Sequence, residues 1–401
     1  MISNEPLDLL GGLTPQKFLQ EYWQKKPLLI RNAIAGFTTP ISPDELAGLA
    51  CEPEVESRIV LEKDGALPWH LQHGPFDDDD FAQLPESYWT LLVQECNKYV
   101  PELALLLDQF DFVPGWRIDD VMVSYAAPEG SVGPHVDQYD VFLLQGLGQR
   151  RWQINTQTVT HQNAKQAPDF LPGTDLRILR EFEPEQEWLL EPGDMLYLPP
   201  GVAHHGVAVG ECMTLSVGFR APSHYDLFTA YADDRFATVA DPFHIPRYQD
   251  PDLTLQENTG EITEQAVQRV VDIIQSYTRD PQTIKRWFGQ FITEPKHELD
   301  TLVPETSYTP ETLAQACRNL PVAYRMESVK FAFMTLPPDR TFLYVNGIEF
   351  ELTADEQPIA PLICNERRIE SRSLLDLMSQ SSTHHVITKL FNEGYLSFDA
   401  P

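Results

Sequence analysis

Between Val121 and Phe219 the chain is a succession of short β-rich runs separated by glycine and proline turns. The runs are Val121–Tyr125, Val141–Leu144, Arg151–Ile154, Met195–Leu198 and Met213–Phe219. Strands this short at such spacing point to a sandwich or barrel. In either, successive side chains face opposite ways, so residues two apart share a surface.

Helical signals flank this region. Thr14-Pro15, followed by Phe18, Leu19 and Tyr22-Trp23, reads as an N-cap, a proline in the first turn and an apolar face. Ser42-Pro43-Asp44-Glu45 is a capping-box pattern. Pro27 to Ile30, between them, is a short apolar run expected to be a strand. Asp77 to Asp80 are expected to be a solvated charge run in a loop, without the alternating ligand spacing of a calcium site. After Pro222, His224 to Val239 and Thr263 to Tyr277 carry apolar residues at helical spacing, and Asp280-Pro281 opens a helix through Trp287 and Phe291. These stripes fit a helical core or a dimer interface.

The last hundred residues read as a further module. Thr309-Pro310-Glu311 starts a helix, and Thr341 to Leu352 reads as a hairpin about Asn346-Gly347. Ser371 to Ser379 and a second helix through Leu390 precede Gly394 to Phe398. Helices followed by a short strand pair suggest a winged-helix shape. Such modules often bind DNA, but residues 321–401 hold seven Lys/Arg against eleven Asp/Glu, the wrong balance for gripping phosphates. A protein-contact role without direct nucleic-acid binding is expected.

The chemistry centres on His135-Val136-Asp137. On a strand, His135 and Asp137 reach one ion together, and a later histidine completes a triad with coordination positions left open. Gly130 to Pro134 is a turn leading into His135. Downstream, Glu191-Pro192-Gly193-Asp194 turns into Met195–Leu198, and Pro199-Pro200-Gly201 turns again before His204-His205. Two adjacent strand histidines face opposite ways, so only one of them can be a ligand.

The runs Gly133-Pro134-His135-Val136-Asp137-Gln138-Tyr139-Asp140-Val141-Phe142, Gly148-Gln149-Arg150-Arg151-Trp152 and Pro192 to Gly201, with Ser216 to Pro222, resemble the JmjC ribosomal oxygenases. With Tyr22-Trp23-Gln24-Lys25-Lys26-Pro27-Leu28-Leu29, the chain is most similar to the bacterial branch that hydroxylates an arginine of ribosomal protein sixteen of the large subunit. The resemblance implies an α+β chain: a cupin-like, jelly-roll double-stranded β-helix over residues 1–220, a helical dimerisation segment over 221–300 and a winged-helix-like domain over 301–401. It also implies Fe(II) on His135, Asp137 and His204, which are thereby the catalytic residues, and 2-oxoglutarate as co-substrate. Its far carboxylate is then anchored by Arg150, with Ser124 as a weaker candidate. Strand alternation supports Arg150 separately, because it shares a face with Trp152 and Ile154. An arginine fork suits a carboxylate. Tyr139 and Asp140 either contact the substrate arginine or serve packing and turn capping. Zinc on the same ligands would only polarise water.

Charge enters at the substrate. Sixty acidic against 29 basic side chains give a formal charge of -31, which repels phosphate and anionic lipid and attracts cationic partners. A basic ribosomal protein suits such a field. The five scattered cysteines, without CxxC spacing, fit reduced thiols in a cytoplasm, and neither a signal peptide nor a membrane span is expected. The expected activity is that of a cytoplasmic, homodimeric protein arginine 3-hydroxylase. Other readings are a histidine hydroxylase or demethylase of the same fold, or a non-catalytic cupin-like protein of ribosome assembly.

Overall fold

A computed structural model describes residues 4–63, 68–156, 169–174, 176–237, 241–295, 303–379 and 383–399. The chain forms two compact units, Met1–Ala221 and Pro222–Ala400.

In the first unit ten strands form one sheet: β1 (Leu28–Ile30), β2 (Ser57–Leu61), β3 (His70–His73), β4 (Trp89–Val93), β5 (Ile118–Ala126), β6 (His135–Val136), β7 (Asp140–Asn155), β8 (Gln186–Leu190), β9 (Met195–Leu198) and β10 (Ala203–Phe219). Their order is β1-β9-β7-β10-β5-β4-β2-β3, with β6 on β10 and β8 on β7. Val141–Leu144 and Arg151–Ile154, which the sequence suggests are separate strands, are two halves of β7. Met213–Phe219 is likewise the end of a longer β10. Both strands bend midway, where the β7–β10 register slips between Val209 and Thr214. On one side of the bend β7 pairs with β9 and β10 with β5; on the other β7 pairs with β8 and β10 with β6. The two halves close on each other as a cupin-like sandwich.

Alternation along these strands divides two apolar layers. Val141, Leu143, Trp152, Ile154, Leu190, Leu196 and Leu198 form the inner one. Phe142, Leu144, Tyr197, Leu215 and Phe219 face outward into a larger core shared with the N-terminal helices. Both faces are buried, which is why these strands read as continuous apolar runs. Phe142 lies within 5.6 Å of Phe18, 5.0 Å of Phe110 and 4.8 Å of Tyr197, centroid to centroid.

The helix signals act as expected. Thr14 caps α1 (Pro15–Glu21) by accepting the Lys17 N–H, and Ser42 and Glu45 close a capping box on α2 (Pro43–Leu49). The aspartate run departs from expectation. Asp77 and Asp80 form their own capping box, so the run opens a short helix, α3 (Asp78–Ala82), rather than a loop. Three acidic residues in a first turn are favoured by the helix dipole. Helix α4 (Pro101–Leu107) completes the set.

The second unit contains α5 (His224–Ala237), α6 (Glu264–Thr278), α7 (Pro281–Thr293), α8 (Pro310–Asn319), α9 (Ile359–Asn365), α10 (Ser371–Met378) and α11 (Thr383–Asn392). The last two residues of the expected His224–Val239 helix lie outside the described residues. Strands β11 (Val322–Arg325), β12 (Phe331–Leu336), β13 (Arg340–Val345), β14 (Ile348–Leu352), β15 (Arg368–Glu370) and β16 (Leu396–Ser397) form two sheets, β15-β11-β16 and β12-β13-β14. Asn346 and Gly347 turn the β13–β14 hairpin with φ of 51° and 80°, both in the left-handed region that such turns require.

Helix α7 packs directly on β12-β13-β14. Gly289 meets the Tyr344 ring, the Gly347 N–H donates to Thr293 Oγ1 at 3.1 Å, and Arg286 pairs with Glu349. The α5–α7 helices also hold together, through the Tyr231 hydroxyl on the Tyr277 carbonyl at 2.6 Å and the Tyr231–Trp287 ring contact at 5.0 Å. Contact therefore joins these three helices to the β12-β13-β14 sheet.

The bend sets a stability test. Gly148 has φ +58°, and a Cβ there would lie 2.0 Å from the Glu211 carbonyl oxygen; Gly210, across the bend, has φ +71° but open space. Gly210→Ala is expected to lose about 1 kcal/mol, the conformational term alone. Gly148→Ala adds backbone overlap and is expected to lose about 1–3 kcal/mol more. Denaturant titration of both variants checks this; equal losses would show that the bend is not tightly packed.

Candidate metal centre

The β6–β10 and β7–β10 pairings assemble the centre. His135 sits directly opposite His204 in the β6–β10 register, and His204 opposite Ile154 of β7. Asp137 comes just past the end of β6, and its carbonyl accepts the Gly201 N–H at 2.8 Å, tying the HxD segment to the turn before β10. Among the described residues, His135, Asp137 and His204 are the group whose ligand atoms all lie within 4.8 Å of one another. The Asp137 Oδ2 is 3.6 Å from His204 Nε2 and 4.0 Å from His135 Nε2.

Both imidazoles are set for coordination. The Gly133 carbonyl lies 2.9 Å from His135 Nδ1, and the Val202 carbonyl 2.9 Å from His204 Nδ1. A carbonyl can only accept, so each Nδ1 carries the hydrogen and each Nε2 keeps its lone pair for a metal. Burial first, and then the neighbouring His135, hold the His204 pKa down to about 4, so its ring is neutral at ordinary pH. Two imidazoles and one carboxylate on one side of a point form the facial donor set that suits Fe(II) and leaves the other side open.

His205 points elsewhere. Its Nε2 lies 3.2 Å from the Ser131 hydroxyl and its ring packs edge-on to Phe182. Alternation along β10 thus separates the two histidines, and His204 is the one turned to the metal group.

Arg150 lies on the same inner face. It is 4% exposed, stands opposite Ala208 and Leu190, and donates from Nε to Cys212 Sγ at 3.4 Å. Its Nη2 is buried without a hydrogen-bonding partner, and its guanidinium carbon is 5.7 Å from the Trp152 ring. A buried cation supplied with only a sulfur and an aromatic face is a built receptor for an anion. A dicarboxylate chelating at the triad can present its second carboxylate there, so the residues present fit 2-oxoglutarate as well as a metal.

Trp152 is the wall between triad and arginine, 5.9 Å from the His204 ring. It lies so close to Gly206 that a Cβ there would be 2.7 Å from the indole. Ser124 is buried on the inner face beside Thr214, to whose carbonyl it donates at 3.4 Å, rather than facing solvent.

The two residues beyond the HxD part company. Tyr139 is 43% exposed, yet its phenol sits deep enough that burial, then the Asp137 and Asp120 carboxylates, push its pKa upward. Asp140 is not available to substrate. It is fully buried on the outer-core side of β7, accepting from the Tyr197 hydroxyl at 2.6 Å and from Gln24 Nε2 at 2.8 Å, with Arg117 at 3.4 Å. Burial raises its pKa against the pull of those partners. It anchors the N-terminal segment. Asp119 and Asp120 of β5 are further carboxylates near Tyr139; Asp120 lies on the Ser124 face and accepts the Glu95 N–H at 3.1 Å.

Residues 105–227 match the JmjC domain model and residues 273–397 the ROXA-like winged helix. The chain is 35% identical to the ribosomal protein uL16 3-hydroxylase of Escherichia coli (strain K12), over 95% of this chain and 97% of that protein. An X-ray structure of E. coli ycfD superposes with a TM-score of 0.82 at 34% identity, covering 95% of this chain and 97% of that one. Another, of YcfD in complex with cobalt and 2-oxoglutarate, gives a TM-score of 0.79 at 34% identity with the same coverage. Likeness along nearly the whole of both chains, on a centre whose donors fit the metal and the co-substrate, shows that this chain belongs to the JmjC ribosomal oxygenases, the Fe(II)- and 2-oxoglutarate-dependent dioxygenases.

Proposed function

We propose that this enzyme hydroxylates an arginine of the large-subunit ribosomal protein uL16 in the cytoplasm. The observation that carries the reading is the convergence of His135, Asp137 and His204 beside a buried guanidinium whose Nη2 has no protein partner. Similarity to a uL16 3-hydroxylase supports this substrate over the histidine-hydroxylase, demethylase and scaffold readings.

Iron, when bound, supplies oxidative decarboxylation of 2-oxoglutarate with dioxygen and so the means to hydroxylate an unactivated carbon. The protein's own work is placement. The Gly133 and Val202 carbonyls hold the two imidazoles in one tautomer. Arg150 receives the far carboxylate of 2-oxoglutarate, Cys212 and Trp152 hold that guanidinium in place, and the inner apolar layer of Leu143, Leu196 and Ile154 keeps water away. For the substrate, the partly exposed Tyr139 offers an aromatic surface that suits a guanidinium. The formal charge of -31 draws a basic protein to the enzyme.

The five β-branched apolar residues of α6, Val267, Val270, Val271, Ile273 and Ile274, are all exposed, and among the described residues of this helix none is buried. We propose that a second copy of the chain covers this face.

Purified enzyme with Fe(II), 2-oxoglutarate and a uL16 peptide is expected to add one oxygen atom to an arginine, read by tandem mass spectrometry. Turnover that places the oxygen on another residue would overturn the substrate assignment while leaving the oxygenase intact. Arg150→Ala is expected to raise the 2-oxoglutarate KM about 10- to 100-fold, as loss of a charged hydrogen bond of about 1.5–3 kcal/mol requires, with metal binding retained. An unchanged KM would remove Arg150 from the co-substrate site. Val270→Asp with Ile274→Asp is expected to convert a dimer to a monomer in analytical ultracentrifugation; a wild-type monomer would dismiss the second copy.

A further inference from the structure

In the second unit, five arginines pair with carboxylates. Arg235 pairs with Asp234, Arg269 with Asp252, Arg286 with Glu349, Arg340 with Glu351 and Arg367 with Glu327. Arg318, Arg368 and Arg372 are not among them. Among the described residues none of the three is in an ion pair, and Arg318 reaches only the Gln315 side-chain oxygen, at 3.3 Å.

All three line a single cleft of about 960 Å³. Arg318 comes from the end of α8, Arg368 from β15 and Arg372 from the first turn of α10. The same cleft is lined by the start of α10, whose N-cap residue Glu370 makes no side-chain cap hydrogen bond and whose first N–H, that of Ser371, donates to the Pro321 carbonyl at 3.0 Å. Ser371, at the first helical position, is 1% exposed and lines the cleft, and its hydroxyl has no hydrogen-bonding partner. Glu366 and Glu370 stand at the same cleft, so three guanidinium groups face two carboxylates and the balance is one positive charge on a strongly negative protein.

We propose that this cleft is a phosphate-binding site, served by Arg318, Arg368, Arg372, Ser371 and the N-terminus of α10. A helix N-terminus presents N–H groups and positive potential to an anion, and arginine forks donate in pairs to its oxygens. Three forks, a hydroxyl and a helix end offer more donors than the two oxygens of one carboxylate can accept, whereas a phosphate group presents three or four. The phosphate comes from a nucleic-acid backbone or from a small phosphorylated molecule. The assignment is independent of the substrate proposed above, because none of these residues belongs to the metal centre.

The test uses the full-length protein at fixed ionic strength. Calorimetry with inorganic phosphate and pyrophosphate, and anisotropy with a fluorescent single-stranded RNA, read the two sources separately. Saturable one-site binding is expected, weakened about tenfold by Arg368→Gln or Arg372→Gln, for a loss of about 1.4 kcal/mol, and also weakened by Ser371→Ala. Turnover of 2-oxoglutarate is expected to stay at the wild-type level in all three. RNA binding that phosphate displaces and that these variants weaken would assign a backbone phosphate; phosphate binding without RNA binding would assign a small ligand. No saturable binding in either arm would overturn the proposal, as would binding indifferent to both arginine substitutions.

Discussion

The antiparallel pairing of β7 with β10 places His204, Trp152 and Arg150 of the catalytic centre. It sets His204 against Ile154, Gly206 against Trp152 and Ala208 against Arg150, so that metal ligand, aromatic wall and carboxylate receptor succeed one another across two adjacent strands. The β6 stub then pairs with the first residues of β10 and puts His135 opposite His204. A one-residue slip of β10 would turn His204 out and His205 in, and would move Gly206 from beneath the indole, where only a residue without a Cβ fits. The register is resisted from both sides, since the inner and outer faces of these strands are each buried in an apolar layer.

Much of this was legible in the residues. The HxD spacing, the turn before His204 and the alternation that aligns Arg150 with Trp152 and Ile154 all carry short-range information, and the structure brings these residues to one inner face. The caps were equally legible: Thr14, Ser42, Asp280 and Thr309 each accept a backbone N–H at a helix start, an interaction settled within three residues of sequence. What was hidden depends on the sheet as a whole. Bends at Gly146–Gly148 and Gly210 look like turns between short strands because glycine serves both, and only the cross-strand ladder shows that β7 and β10 run on through them. Strands β2, β3 and β4 have little periodic signature of their own and are defined by pairing outward from β5.

Asp140 shows how proximity in sequence misleads. It lies three residues from a metal ligand, which invites a role at the site. Alternation along β7 places it with Phe142 and Leu144, on the face packed against the N-terminal helices, and there it joins Tyr197, Gln24 and Arg117. A buried carboxylate is tolerable only with such partners. The same reasoning separates the two charge patterns of the chain. Acidic residues act through the summed field, while each arginine acts through whatever it is held against.

Arg150 is the sharpest case of that difference. Desolvating a guanidinium costs several kcal/mol, and the fold meets that cost with a thiol contact and an aromatic face, neither of which is a full charge partner. A better-paired arginine would stabilise the apo fold and bind a carboxylate less well, because the incoming oxygens would have to displace the partner already there. Leaving the charge half-satisfied transfers part of the folding energy into co-substrate affinity. Any ligand that binds the folded chain alone stabilises it by mass action, so 2-oxoglutarate and the stability of the sandwich are linked through this one side chain. The inner apolar layer makes the linkage strong, because it removes the water that would otherwise solvate Nη2 and screen the pairing.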